Sequence, residues 1–296
     1  MSLSPLGIAH TNLNCAQLER SLAAYRDGLG LVPMSHTNPV PQEGRGFGLS
    51  GHVQWDAYIL HDDRGLQSTA LDLLEWKIPA PITGPPRAAN QLGLANLVFS
   101  VPELEAELPG FRAELPAGEE QDEFRRVTDP DGISVELRQA PGASRLQSVQ
   151  LNCSDLDLSS AWYRDHLGLE SRGRRRVEGA DARPYGLQGR ASLEIETLGL
   201  PGKDAALEIQ LVQWLQPEAS GAPIGRANEV GLFRLAFLVE DAERDDRWLH
   251  DQGIATSGAV WLDMGPEIPV DGVYASFFPD PDGTCLELIG VPSANP

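Results

Sequence analysis

The sequence has no apolar run of the roughly twenty residues that an α-helix needs to span a bilayer. Its first residues, MSLSPLGIAH, lack the basic start and the apolar stretch of a secretory signal peptide. We therefore expect a soluble, cytoplasmic protein with no membrane partner. Cysteine is also scarce, and the odd set Cys15, Cys153 and Cys285 predicts buried thiols instead of a disulfide framework.

Basic charge is in short supply as well. The chain of 296 residues has 43 acidic and 23 basic side chains, a formal net charge of -20. Because such a surface repels a phosphate backbone, we expect no nucleic-acid partner. The local exception is SRGRRRVE, where four arginines (172, 174, 175 and 176) crowd together. The pattern favours a solvated loop or strand edge, with an anion site as the alternative.

Several catalytic signatures are missing from the sequence. It shows no Ser-His-Asp spacing, no phosphate-cradling glycine loop and no zinc-type cysteine cluster. We therefore expect neither nucleophilic chemistry nor a nucleotide cofactor.

What the chain does contain is an internal repeat. HTNLNCAQLERSLAAYRDGLGL (10–31) matches SVQLNCSDLDLSSAWYRDHLGL (148–169) at 12 of 22 positions, an offset of 138. The closing motifs DPDGISVEL (129–137) and DPDGTCLEL (280–288) match at an offset of 151, so the second copy carries 13 extra residues. We place them in GAVWLDMGPEIPVDGVYASF, a Gly- and Pro-rich segment typical of a lid or binding wall. The repeat predicts two domains, 1–141 and 146–296, joined by RQAPGASR.

Each copy divides into two units in which a strand precedes an amphipathic helix and further strands. Leu18, Leu22, Tyr25 and Leu29 have helical spacing, and runs such as HVQWDAYIL and ALDLLEW predict strands. The segment ELEAELPGFRAEL (103–115) predicts another helix, bent near its Pro-Gly pair. These patterns indicate an α+β fold.

The motifs NCAQLERSLAAYRDGLGL, NCSDLDLSSAWYRDHLGL and DPDG…EL resemble those of the vicinal oxygen chelate superfamily. This superfamily includes glyoxalase I, extradiol ring-cleaving dioxygenases, methylmalonyl-CoA epimerases, fosfomycin-modifying enzymes and bleomycin-binding proteins. The resemblance covers nearly the whole chain. It implies four βαβββ modules paired into two open β-barrel, glyoxalase-like domains.

The resemblance also implies metal ligands on the first strand and a late strand of each module. In the first copy these positions hold His10, Asp72, Asn96 and Glu136. One imidazole and two carboxylates, with Asn96 as a weaker fourth donor, suit a divalent ion such as Fe, Mn, Ni or Zn. Asp72 within ALDLLEW would be costly to bury without a partner. The alternative is that His10 and Glu136 are ordinary polar strand residues.

The same positions in the second copy hold Ser148, Gln210, Arg234 and Glu287, which are poor metal ligands as a set. Arg234 is expected either to pair with Glu287 or to receive an anionic group, so we treat these residues as candidates for ligand binding. Some superfamily members exchange modules between domains. In that arrangement His10 and Asp72 would face Arg234 and Glu287.

Two histidines are candidates for proton transfer, since His52 and His61 flank the strand HVQWDAYIL. Surface positions without a catalytic role are the alternative for both.

Two functions follow from these residues. The first is a metal-dependent isomerase, lyase or dioxygenase acting on a small oxygen-rich molecule in the N-terminal barrel. Extradiol cleavage and glyoxalase I activity are poor fits, because Ser148, Arg234 and Asn96 stand where those enzymes have histidines. The second is a metal-free protein that sequesters a small molecule on large aromatic rings such as Trp55. We expect a monomer or homodimer in either case.

Overall fold

The computed structural model describes residues 2–114, 124–203, 206–264 and 271–290. Within these residues, the first half of the chain contains helix α1 (Leu18–Ala23), continued by a π-helical turn (Ala24–Gly28), and nine strands: β1 (Gly7–Asn14), β2 (Val32–Thr37), β3 (Gln42–Glu43), β4 (His52–His61), β5 (Ala70–Ile78), β6 (Gly93–Val101), β7 (Arg112–Ala113), β8 (Arg125–Thr128) and β9 (Ser134–Gln139).

The described part of the second half contains helices α2 (Leu156–Leu167) and α3 (Ala242–Asp251) and eight strands: β10 (Arg145–Cys153), β11 (Glu170–Asp181), β12 (Arg190–Gly199), β13 (Glu208–Gln216), β14 (Gly231–Leu238), β15 (Val260–Asp263), β16 (Gly272–Pro279) and β17 (Cys285–Gly290). The expected α+β class is confirmed. None of the described helices is long and apolar enough to cross a membrane.

The strands form two sheets, and each sheet takes strands from both halves of the chain. Sheet 1 has the order β15-β16-β17-β14-β1-β5-β4-β2, with β3 paired to β4. Sheet 2 has the order β11-β12-β13-β10-β6-β9-β8-β7. The halves join where β1 pairs with β14 and where β10 pairs with β6, both antiparallel. The first quarter of the chain therefore pairs with the last, and the two middle quarters pair with each other.

This pairing crosses the division into 1–141 and 146–296. The division describes the repeat in sequence, and β9 and β10 lie on either side of the expected linker. The hydrogen-bonded sheets do not follow it. Of the two arrangements left open by the sequence, the structure has the one with exchanged modules.

Alternation along the strands separates an apolar face from a polar face. Leu71 and Leu73 on β5 belong to the main hydrophobic core, which also takes residues from sheet 2 and the helices. Asp72 and Leu74 point to the opposite face, as successive strand side chains must. On that face Leu74 joins a second, smaller apolar cluster. The candidate site residues thus lie away from the main core.

The repeated motifs connect helices to turns. Tyr25 Oη donates to Asp129 Oδ2 at 3.2 Å, and Tyr163 Oη donates to Asp280 Oδ2 at 3.1 Å. Asp129 Oδ1 also accepts from two backbone amides of its own turn. The conspicuous YRD and DPDG matches are therefore explained by packing of the fold.

One predicted helix is absent from the structure. Over the described part of 103–115, which ends at residue 114, the chain forms turns and then β7. Pro109 lacks an amide donor and Gly110 has a φ of +84°, so a helix cannot continue through them. Arg125 instead donates to the carbonyls of Leu104 and Ala106, at 2.7 and 3.1 Å. The prediction of a helix here was wrong.

The extra segment of the second copy contains the hairpin β15–β16. Residues 265–270, within the segment expected to be a lid or wall, lie outside the described residues.

Candidate functional site

The four predicted metal positions of the first copy are divided between the sheets. His10 on β1 and Asp72 on β5 belong to sheet 1, whereas Asn96 on β6 and Glu136 on β9 belong to sheet 2. The structure therefore does not bring His10, Asp72 and Glu136 together. The physical reason is the pairing of β1 with β14, which places Arg234 opposite Asn12.

Cluster 1 consists of His10, Asn12, Asp72, Arg234 and Glu287 in sheet 1. All five are buried, and Glu287 exposes 1% of its surface. The guanidinium of Arg234 bridges the two carboxylates, since Nε donates to Glu287 Oε2 at 2.7 Å and Nη2 donates to Asp72 Oδ2 at 3.0 Å. A permanent cation thus compensates two buried anions.

His10 and Asn12 complete cluster 1. His10 Nε2 lies 3.2 Å from Glu287 Oε2 and 3.9 Å from Asp72 Oδ2. Asn12 Nδ2 donates to Asp72 Oδ2 at 3.0 Å. Burial opposes ionisation of Glu287, but the charge of Arg234 and the contact with His10 outweigh it and lower its pKa to about 2. Glu287 is therefore a carboxylate near neutral pH.

Cluster 2 occupies the corresponding place in sheet 2 and consists of Asn96, Arg126, Glu136, Ser148, Gln150 and Gln210. It is held together mainly by amides. Gln150 links the other amides to the carboxylate: its Oε1 accepts from Asn96 at 3.2 Å, and its Nε2 donates to Gln210 at 3.2 Å and to Glu136 at 3.4 Å. Ser148 lies on the same strand and is buried. Cluster 2 contains no imidazole and one carboxylate.

Arg126 supplies the cation of cluster 2, and the sequence patterns did not single it out. Its Nη2 donates to Glu136 Oε2 at 2.9 Å and to Gln150 Oε1 at 3.2 Å. Arg138 donates to Glu136 Oε1 at 2.6 Å. Burial opposes ionisation of Glu136, yet these two guanidinium groups hold its pKa below the ordinary value. Strand register is the signal that could have identified Arg126, because this residue stands directly opposite Glu136 on the neighbouring strand.

The donor sets do not fit a divalent metal ion. In each cluster a guanidinium already binds the carboxylate that a metal would need. Across the described residues, no group of three or more His, Cys, Asp and Glu side chains is arranged to hold a metal. Arginine cannot act as a ligand while it is charged, since it has no lone pair to offer.

A pocket of about 300 Å³ lies over cluster 2. Its charged lining residues are Glu136 and the three arginines Arg126, Arg138 and Arg175. Its aromatic lining residues are Phe124, Tyr185 and Trp214. The guanidinium carbon of Arg126 lies 4.5 Å from the centre of the Tyr185 ring, within the range of a cation–π contact. Trp214 meets the same ring edge-on at 5.3 Å.

The arginine-rich segment contributes to this pocket through one residue. Arg174 and Arg176 on β11 both pair with Glu194, at 2.6 and 3.2 Å. Arg175 points to the other face of the strand, as alternation requires, and lines the pocket. The expectation of an exposed strand edge is confirmed for the segment, and Arg175 is the member placed to meet an anion.

The corresponding face of sheet 1 carries a cluster of aromatic side chains, beside a cavity of about 250 Å³ that Phe47 and Phe277 line. Phe47, on a 3₁₀ turn, lies 5.2 Å from Trp55, 5.4 Å from Trp76 and 4.8 Å from Phe277 between ring centres. Trp55 is buried in this cluster. The tryptophan predicted to bind a ligand therefore packs against its own chain.

The two candidate histidines lie apart from each other on β4. His52 is exposed, on a shallow depression with Glu43 and Arg45. His61 is buried, its Nδ1 lies 3.1 Å from Ser68 Oγ, and burial lowers its pKa. Catalysis by either residue stays a prediction.

All three cysteines are unpaired, as expected from their number. Burial raises the pKa of the Cys153 thiol to about 12, so it is not a nucleophile near neutral pH.

Comparisons with known proteins agree with this architecture. The sequence model of the Glyoxalase/Bleomycin resistance protein/Dioxygenase superfamily matches residues 145–288, just under half of the chain. No curated protein matches the chain in sequence.

Solved structures extend the likeness to both halves. Glyoxalase I from Zea mays superimposes with a TM-score of 0.65 at 18% identity, over 96% of this chain and 92% of its own. A putative dioxygenase from Bacillus subtilis subsp. subtilis str. 168 gives 0.61 at 14% identity, over 99% and 87%. At these identities the likeness shows the fold alone. Residues 145–288 thus match the glyoxalase/bleomycin resistance protein/dioxygenase superfamily in sequence, and the chain as a whole shares the fold of glyoxalase I.

Proposed function

We propose that this protein binds a small anionic molecule with an aromatic ring, without a metal ion, in the pocket over cluster 2. The observation that carries the proposal is the charge of that pocket. Arg126, Arg138 and Arg175 line it, and Glu136 is the only acidic residue among its described lining residues.

The excess positive charge is unusual for this chain. A protein with a formal charge of -20 has little reason to gather three guanidinium groups around one cavity unless they meet an anion. Glu136 is compensated by Arg126 and Arg138, so Arg175 adds charge that the pocket's own carboxylate does not need. Guanidinium groups bind carboxylate or phosphate oxygens in pairs, which gives both affinity and orientation.

The aromatic lining favours a planar ligand. Phe124, Tyr185 and Trp214 present apolar rings, and Leu193 and Ile195 extend the apolar wall. A volume of about 300 Å³ lies at the small end of ligand pockets and suits a molecule of one or two rings.

The same geometry gives less support to a metal-dependent isomerase, lyase or dioxygenase. That function needs donors free to bind an ion, whereas the carboxylates of both clusters bind arginine. The metal-free alternative needs only a pocket with suitable walls.

Isothermal titration with 2-naphthoate and its neutral amide, 2-naphthamide, tests the proposal. We expect the acid to bind at least tenfold more tightly, because the amide cannot form charge-assisted hydrogen bonds with arginine. Arg175→Ala should weaken binding of the acid by about 10-fold or more and leave the amide unchanged, since a hydrogen bond to a charged group contributes about 1.5–3 kcal/mol.

Arg174→Ala is the matched control, because it removes the same charge from the other face of β11. If the two substitutions weaken binding equally, the effect comes from long-range electrostatics and not from a direct contact between Arg175 and the ligand. Equal binding of acid and amide, or no binding of either, would contradict the proposal.

A further inference from the structure

We infer that the ligand of this protein is elongated: its ring and anionic group occupy the pocket over cluster 2, and an uncharged, apolar extension enters a larger cavity beside it. The inference rests on the proposed function and names the class of ligand more closely. This second cavity has a volume of about 650 Å³ and is lined by parts of the segments 83–95, 128–134, 185–187 and 229–232.

The two cavities share part of their walls. Three residues line both of them, namely Ala89, Ala95 and Tyr185. The two alanines have the smallest side chains that carry a Cβ, so little of the chain separates one space from the other. The half-buried ring of Tyr185 meets Trp214 edge-on, which holds it beside this opening. A ligand that packs against Tyr185 can therefore continue past the alanines.

A buried amide, Asn152, holds the wall of the opening in place. Its Nδ2 donates to the carbonyls of Ala89 and Gln91, each at 2.7 Å. Its Oδ1 accepts from Trp214 Nε1 at 3.0 Å. The same side chain thus positions an alanine of the opening and an aromatic wall of the pocket. Because this wall is already ordered, a ligand does not have to order it on binding.

The repeat shows which side chain would narrow the opening. At the offset of 138, Ala95 corresponds to Phe233. Asn14 anchors the neighbouring segment of sheet 1 in the same way, since its Nδ2 donates to the carbonyls of Ala227 and Glu229 at 2.7 and 2.9 Å. The backbone is thus held alike in both sheets, but in sheet 1 Phe233 is buried in the aromatic cluster. The small side chain of Ala95 leaves the corresponding space in sheet 2.

The charges of the second cavity set the direction of the ligand. Its charged lining residues are two arginines and three acids: Arg20, Arg87, Glu114, Asp131 and Glu229. Arg20 pairs with Asp131, and Arg87 donates to two backbone carbonyls at 2.7 and 3.1 Å. The acids outnumber the arginines here, whereas the arginines outnumber the acid in the pocket over cluster 2. The anionic group is therefore held in that pocket, and the uncharged end extends into the second cavity.

The rest of the second cavity favours an apolar group. Its apolar lining residues include Ala88, Leu94, Pro130, Ile133, Leu187 and Leu232. Each methylene buried against such a wall strengthens binding about fourfold. The expected ligand class is therefore an aromatic acid that carries an alkyl or alkoxy chain on the side opposite its anionic group.

Isothermal titration with 2-naphthoate, 6-methoxy-2-naphthoate and 6-butoxy-2-naphthoate tests the inference, because the 6-substituent points away from the carboxylate. We expect the butoxy acid to bind at least tenfold more tightly than the methoxy acid, since three more methylenes are buried. Ala95→Phe should abolish this difference, because it places in sheet 2 the side chain that sheet 1 has at the corresponding position.

A second variant acts on the second cavity alone. Ala88 is exposed and does not line the pocket over cluster 2. Ala88→Trp should therefore remove most of the gain from the butoxy chain and leave the affinity for 2-naphthoate unchanged. Ala143→Trp is the matched control, because Ala143 is exposed and lines neither cavity. Circular dichroism checks that each variant is folded.

The outcomes separate this inference from the proposed function. Loss of the butoxy gain in either variant, with the gain retained in Ala143→Trp, supports the inference. Equal binding of the three acids, or a gain that both Ala95→Phe and Ala88→Trp retain, would overturn it and leave the proposed function standing. Failure of all three acids to bind would contradict the proposed function and the inference with it.

Discussion

At the scale of single residues, the buried aspartates of the DPDG motifs stand out. Burial, reinforced by a neighbouring aspartate, raises the pKa of Asp129 to about 7 and that of Asp280 to about 6, although their own turns donate hydrogen bonds to them. Each also accepts from a buried tyrosine of the YRD motif in the same copy of the repeat. Their titration is therefore linked to folding.

We predict that the free energy of unfolding falls as pH rises from about 4 to about 7 at these sites. In the unfolded chain these carboxyl groups have a pKa near 3.8 and lose their proton above it. In the folded chain the raised pKa keeps the proton bound to higher pH, so folding is favoured most at low pH. Asp129→Asn should flatten this dependence, because an amide keeps the turn contacts without titrating. Urea unfolding between pH 4.5 and 7.5 measures it.

The exposed Asp251→Asn removes the same formal charge and serves as the control. A pH dependence of Asp129→Asn as steep as that of the wild type would show that Asp129 does not carry it.

At the scale of elements, a short 3₁₀ turn places an aromatic ring on the face of each sheet that lies away from the main core. The turn Gly44–Phe47 carries Phe47 onto the aromatic cluster of sheet 1. The close approach needs glycine, because a Cβ on Gly46 would lie 2.6 Å from Val260 Cγ2. Sheet 2 has the equivalent turn, Arg183–Tyr185, and its Tyr185 packs edge-on against Trp214 and lines the pocket.

We predict that Phe47→Ala destabilises the protein by about 3 kcal/mol, near the lower end for loss of a phenylalanine from a core, since Phe47 is half-buried. It should also enlarge the cavity that Phe47 lines on sheet 1, so that the variant binds more of the apolar dye ANS than the wild type does. Urea unfolding and dye fluorescence measure the two effects.

Leu66→Ala, on another 3₁₀ turn and 79% exposed, should change neither quantity. Unchanged stability of Phe47→Ala would show that the aromatic cluster does not depend on the turn.

At the scale of the whole molecule, exchanged pairing makes the two halves interdependent. Each half contributes one part of sheet 1 and one part of sheet 2, joined through β1–β14 and β6–β10. Separated halves would expose the central edges of both sheets, which are long and apolar. Because both sheets are completed within one chain, we propose that the protein needs no second copy to fold.

We predict that fragments 1–141 and 146–296 form a one-to-one complex when produced together and are not folded monomers when produced alone. Size-exclusion chromatography with light scattering measures this. Two stable monomeric fragments would instead favour independent domains with the boundaries expected from the repeat.

The sequence alone determined the repeat, the α+β class and most strands, and it indicated the superfamily whose model matches residues 145–288. These depend on local patterns, such as alternation around Asp72 or the spacing of Leu18, Leu22 and Tyr25, and local patterns survive without knowledge of tertiary contacts. The helix expected over 103–115 failed because a Pro-Gly pair outweighs amphipathic spacing. Only the tertiary structure decided which quarters of the chain pair. The physical reason is that repeated units carry nearly the same edges, so no local pattern specifies that Asp72 meets Arg234 or that Glu136 meets Arg126.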